Sequence, residues 1–148
     1  MALPYSHLLH LRVRYSETDQ LGTFYNSRAL EWFECGRTEL LRAIGIPYTA
    51  MEARGICLPL VEAHVQYLGR ARYDDLLEIR SVLSMAGKAS FRFDVTINRC
   101  SADAGVFPVA SGYTVHAITD SAGKPSRAPA WLTAALDAAA PSPQETSA

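Results

Sequence analysis

The sequence predicts an α+β fold in which an antiparallel sheet of about five strands wraps around one long helix. Three observations lead there. Ser27 to Ile44 is the only long stretch with a helical period, and five other segments read as strands. The gaps separating the last four strand segments are shorter than the dozen or more residues that a parallel crossover needs.

Leu9 to Tyr15 alternates strictly, with Leu9, Leu11, Val13 and Tyr15 on one face and His10, Arg12 and Arg14 on the other, the period of a half-buried strand. The polar turn from Ser16 to Gly22 leads into the helix, whose Leu30, Phe33, Leu40, Leu41 and Ile44 recur at helical spacing. Asn26 or Ser27 is placed to cap it, Glu31 and Glu34 sit toward its positive end, and Gly45 with Pro47 stops it. Eighteen residues make roughly 27 Å of helix. The strands Leu58–Leu68, Leu76–Leu83, Ser90–Asn98 and Val106–Ile118 follow, separated by turn residues around Asp74, Gly87 and Gly105. A short apolar helix is expected around Ala130, Trp131 and Leu132. Residues 1–140 are read as one domain, and 141–148, rich in Pro, Ser and Ala, as a disordered tail.

Composition narrows the function. Of 148 residues, 49% are apolar and 20% charged, enough to bury roughly two-thirds of the unfolded surface without staples. With 14 Lys and Arg against 15 Asp and Glu, the net charge is −1, so a basic nucleic-acid binder is not expected. Cys35, Cys57 and Cys100 are odd in number and form no CxxC pair, the usage of reduced thiols in a cytoplasm. No run approaches the roughly 20 apolar residues of a membrane helix, and Met1 to His10 lacks a signal-peptide layout. A cytoplasmic protein with no membrane partner is expected. Nucleotide-loop, serine-hydrolase and zincin motifs are absent, and His7, His10, His64 and His116 have no ligand spacing, so no metal is assigned.

The junction between the first strand and the helix, Tyr15 to Asn26, is where chemistry is expected. A helix start leaves about four backbone N–H groups unpaired at a positive dipole end, which can polarise a carbonyl or hold an oxyanion. Asp19 lies a few residues upstream, and Gly22 permits the backbone to fold it back toward that point. Taken alone, an aspartate in such a turn is more often a turn former or cap than a catalyst.

The run from Arg14 to Asn26, with Leu30-Glu31-Trp32-Phe33-Glu34 and Gly36-Arg37-Thr38-Glu39-Leu40-Leu41, resembles the 4-hydroxybenzoyl-CoA thioesterase family of hotdog-fold acyl-CoA thioesterases. The likeness continues through Leu58 to Ala63 and Tyr67 to Asp75 and covers about residues 8 to 120. It implies a hotdog domain that hydrolyses the thioester of an aromatic or aliphatic acyl-CoA. Asp19, in the YxxTDxxG pattern, would be the nucleophile or general base, and the backbone N–H of Asn26 the oxyanion donor. Many relatives carry histidine where this chain has Asn26, which keeps the backbone donor and loses an imidazole. Gly22, Phe24 and Tyr25 would shape the turn and acyl pocket. The resemblance implies no cofactor, coenzyme A being part of the substrate. It also implies a homo-oligomer, dimer or tetramer, with Leu58–Leu68 the first candidate for the pairing edge.

Other residues have weaker roles. Arg70, Arg72, Lys88 and Arg127 lie in expected turns as possible donors to CoA phosphates. Glu17 is read as a surface turn carboxylate and only secondarily as a second acid. Glu31 and Glu34 are explained by the helix dipole. Glu62 and His64 share a strand face, the one pair a dehydratase reading can use. A non-catalytic acyl-CoA-binding module and an acyl-carrier-protein thioesterase are the remaining alternatives.

Overall fold

The structure, a computed structural model, describes residues 5–139, so the expected tail at 141–148 lies outside the described residues. Along the chain come strand β1 (Tyr5–Arg12), a 3-10 turn (Tyr15–Glu17), helix α1 (Arg28–Ala43) and helix α2 (Tyr48–Ala53). Strands β2 (Leu60–Tyr67), β3 (Leu76–Gly87), β4 (Ser90–Ser101) and β5 (Gly105–Ala117) follow, then helix α3 (Ala130–Ala138). The five strands form one sheet in the order β1-β3-β4-β5-β2, with every neighbouring pair antiparallel. Hence β1 and β2 run in the same direction at opposite edges, and the chain between them carries α1 across the inner face. This is the expected hotdog arrangement.

α1 packs on β1, β3 and β4, and its buried side divides the interior into two clusters. Toward its start, Ala29, Trp32 and Phe33 meet Phe24, Leu77, Ile79, Val95 and Ile97. Toward its end, Leu40 and Leu41 meet Met51, Leu83, Phe91, Phe93, Leu132 and Leu136. Gly36 lies at the waist, where a Cβ would collide with the Ser81 hydroxyl and come within 2.9 Å of Ile79 Cγ2. A residue without a side chain lets helix and sheet approach closely here. α3 closes the far end, where the Tyr5 hydroxyl donates to the Leu136 carbonyl and Arg54 lies 4.0 Å from the centre of the Trp131 ring.

Several boundaries depart from the sequence expectation. The first strand starts at Tyr5 and ends at Arg12, because its partner β3 begins at Leu76, opposite Arg12. Val13 keeps its inward parity and is buried, whereas Tyr15 belongs to the 3-10 turn and is exposed. α2 was not expected after the stop signal; Pro47 precedes it and Met51 anchors it in the core. β3 and β4 are longer than the alternation suggested: β3 continues to Gly87, with Ser84 and Met85 opposite Arg92 and Phe91, up to a two-residue turn at Lys88 and Ala89, and β4 continues to Ser101, with Arg99 and Cys100 opposite Leu77 and Leu76. Pro108 in β5 sits beside a register irregularity opposite Ile97 and Asn98, where a missing N–H is tolerated.

Glu17 overturns its reading as a surface carboxylate: it is 3% exposed. One carboxylate oxygen accepts from the Arg14 backbone N–H at 2.6 Å, and the other from the Trp32 indole N–H at 2.8 Å. The Arg14 guanidinium adds an ion pair at 3.5 Å. Burying a carboxylate is costly unless its oxygens are satisfied, and here the donors come from both sides of the junction. Replacing Glu17 with Ala would leave the Trp32 and Arg14 donors unpaired and cost about 2–4 kcal/mol. Urea unfolding should show that loss and a smaller one for Glu17→Gln, which retains an acceptor oxygen; equal stability of the alanine variant would refute the tether.

Candidate active site

The segment between the 3-10 turn and α1 is a small folded unit. Thr18 and Phe24 form an isolated antiparallel bridge, the Asp19 N–H donates to Thr23 O at 2.9 Å, and the Gly22 N–H donates to Asp19 O at 3.1 Å. Gly22 has φ +80°, the left-handed backbone that the reversal requires and that glycine adopts without strain. The half-buried Asp19 side chain uses one oxygen within the turn, Oδ1 accepting from the Leu21 N–H at 2.8 Å. Its Oδ2 has no hydrogen-bond partner among the described residues. The turn is stitched to the connection between β2 and β3 through Ala71: Phe24 N–H donates to Ala71 O at 2.8 Å, and the Thr23 hydroxyl accepts from Ala71 N–H at 3.1 Å.

α1 begins directly afterward. Tyr25 N–H donates to Glu17 O at 2.8 Å and Arg28 N–H to Tyr25 O at 2.9 Å. The Asn26 N–H has no acceptor among the described residues. Its carbonyl accepts from the Tyr67 hydroxyl at 2.6 Å, which fixes the peptide plane from β2. The expected side-chain cap does not form: Ser27 occupies the cap position without a capping bond. The helix start therefore presents an open backbone donor at the positive end of the dipole.

The other expected site residues separate into groups. Phe24 is 5% exposed, its ring 4.9 Å from Trp32 and 6.1 Å from Tyr67, so within this chain it is a core residue rather than an open wall. Tyr25 is exposed. Arg70 and Arg72 flank Ala71 and line a groove with Asp75 and Arg99. Asp75 accepts from the Arg72 N–H at 2.7 Å and lies 4.0 Å from Arg99 Nε. Lys88 lies in the β3–β4 turn and lines a different groove with Arg127, about eleven strand residues, or roughly 36 Å, beyond the Leu76 end of β3. One chain does not bring Lys88 or Arg127 to Asp19.

Glu31 is paired with Arg28 at 2.8 Å. Glu62 and His64 do not pair with each other: Glu62 accepts from the Tyr113 hydroxyl at 2.8 Å and His64 stacks on the Tyr113 ring. The strand parity of Tyr113, opposite to that of buried Thr114 and His116, puts this trio on the sheet face away from α1.

Sequence reasoning missed Tyr67 and Arg99, which reach the site only through pairing with distant strands. It also missed a cavity of about 110 Å³ under α1, lined by Glu34, Arg37, Thr38, Leu41, Tyr48, Leu58, Phe93 and His116. Burial pushes the His116 imidazole below its ordinary pKa, so it is neutral at pH 7. Leu58 O can only accept, so the proton resides on Nδ1, 2.9 Å away, and Nε2 accepts from the Thr114 hydroxyl at 3.0 Å.

Comparison with known proteins places this geometry in a family. YneP of Bacillus subtilis is 38% identical over 65 residues, 44% of this chain and 47% of that protein. The acyl-CoA thioester hydrolase YbgC of Escherichia coli is 35% identical over 78 residues, 52% of this chain and 58% of that protein. The match thus spans about half the length of these relatives. The crystal structure of the hypothetical protein TT1821 from Thermus thermophilus superposes with a TM-score of 0.79 at 28% identity, covering 88% of this chain and 97% of that one. Residues 13–136, from the end of β1 into α3, match the thioesterase-like superfamily, and the chain belongs to it.

Proposed function

We propose that the protein is an acyl-CoA thioesterase acting as one hotdog unit over residues 1–140, with Asp19 as the reacting carboxylate and the Asn26 N–H as the oxyanion donor. One observation carries the reading: among the described residues, a turn reversed at Gly22 leaves Asp19 Oδ2 without a partner just before a helix start whose Asn26 N–H is likewise open. A thioester carbonyl seated on that donor would be polarised toward attack. Asp19 either takes the proton of an attacking water, or forms a mixed anhydride that water then opens. In both routes the C–S bond breaks, the acid is released and the CoA sulfur leaves as thiolate to be protonated. The acyl-CoA thioester hydrolase activity in the name of YbgC supports the same reaction.

Arg70, Arg72 and Arg99 supply the positive groove beside Ala71 for the CoA phosphates. The dehydratase alternative loses support, because Glu62 and His64 face away from α1. Among the described residues no helix is long and apolar enough to cross a membrane. The three free cysteines favour a reducing, cytoplasmic compartment. Homo-oligomerisation is supported by β2, an edge strand whose Val61 is 62% and Tyr67 50% exposed, since unpaired apolar edges invite a partner. Gly22 and Tyr25 would then border the acyl group at such an interface.

Thiol release from a panel of acyl-CoAs should fall about 10²- to 10⁴-fold in Asp19→Asn with the fold intact. Unchanged rates would remove Asp19 from the mechanism, and hydrolysis of acyl carrier protein thioesters alone would change the carrier. Arg70→Gln with Arg72→Gln should raise KM for the CoA thioester roughly three- to tenfold while sparing a pantetheine thioester; equal effects on both would exclude a phosphate contact. Light scattering should report a dimer or larger that Val61→Glu dissociates, and a wild-type monomer would overturn the oligomer reading.

A further inference from the structure

On the sheet face opposite α1, three strands bring His10, Glu78 and Cys100 together, their ligand atoms all within 4.8 Å of one another. The register explains the convergence. His10 of β1 stands directly opposite Glu78 of β3, Asn98 of β4 stands on the other side of Glu78, and Cys100 lies one residue pair along the same face. His10 Nε2 is 4.0 Å from Glu78 Oε2, and the Asn98 amide donates to Glu78 Oε1 at 3.4 Å. The flanking rows carry Arg12, which donates to Asp74 O at 2.9 Å, and Arg80.

We propose that His10, Glu78 and Cys100 form a zinc site that clamps the edge strand β1 to β3 and β4. Imidazole, carboxylate and thiolate are the ligands that a borderline-soft divalent ion takes in tetrahedral geometry, with water at the fourth position. One thiolate and one carboxylate neutralise the charge of Zn²⁺, so the occupied site is neutral, one unit more positive than the empty site with its thiol protonated. Asn98 orients the carboxylate, as outer partners of metal ligands do. Only the thiolate ligates the ion, so the Cys100 thiol gives its proton to solvent as the Zn–S bond forms. The site is separate from the Asp19 junction and independent of the thioesterase reading.

Tag-free full-length protein, reduced with a phosphine, is titrated with Co²⁺ and then with Zn²⁺. The expected result is one equivalent of cobalt with a near-ultraviolet thiolate-to-metal band, displaced by zinc. The band should vanish in Cys100→Ser and persist in Cys35→Ser and Cys57→Ser. His10→Ala and Glu78→Gln should each weaken zinc binding by at least the roughly 10- to 100-fold that loss of an outer partner costs. His10 is exposed and Glu78 and Cys100 are half-buried on paired strands, and circular dichroism checks that the variants remain folded. Absence of stoichiometric binding, or a band that survives Cys100→Ser, would overturn the proposal.

Discussion

The carboxylate of Glu17 joins two parts of the molecule that sequence separates by a turn. It accepts from the backbone at Arg14, where the chain leaves β1, and from the indole of Trp32, one turn into α1. Its own carbonyl receives the Tyr25 N–H. A buried carboxylate tolerates desolvation only when its oxygens are filled, so these bonds form together. The path from Arg14 to Asn26 is thereby fixed against the helix, and the Asp19 reversal is held in place by contacts on which it does not itself depend. Ala71 fastens the same segment to the connection between β2 and β3 from the other side.

That arrangement explains why the helix start stays open. Ser27 stands at the cap position and leaves the first amides without a side-chain acceptor; stability at this end comes instead from Trp32, Phe33 and Ala29 in the core and from Tyr67 holding the Asn26 carbonyl. Among the described residues the Asn26 N–H and the second Asp19 carboxylate oxygen go without hydrogen bonds, a local sacrifice of the kind that packing elsewhere offsets. The waist at Gly36 contributes by letting α1 lie close to β3, so that both ends of the helix reach their clusters.

The sheet has two faces with different work. The inner face is apolar beneath α1 and opens toward β2, where Tyr67 remains exposed beside the helix start and Val61 at the other end of the strand. The outer face carries polar cross-strand clusters, Glu62 with His64 and Tyr113, and His10 with Glu78 and Cys100. Alternation along each strand decides which face a side chain joins, and register decides its neighbours.

Much of the fold was legible in the sequence because periodicity is local. The span of α1, the order of elements apart from α2, and the inward parity of Leu9, Leu11, Val13, Phe91 and Phe93 follow from spacings of two or of three and four. The turn at Gly22 was also legible, since a left-handed position favours glycine. Strand ends were not, because β1 stops where β3 has no further residue to offer, and β3 continues wherever β4 does. Nor was the burial of Glu17, whose acceptor role needs Trp32, or the recruitment of Tyr67 and Arg99 to the junction. The sequence by itself determined α1, the five strands in outline and the candidate carboxylate Asp19. Tertiary structure decided which distant groups hold the turn and helix start on either side of it, because strand pairing and helix docking bring together residues that no local spacing relates.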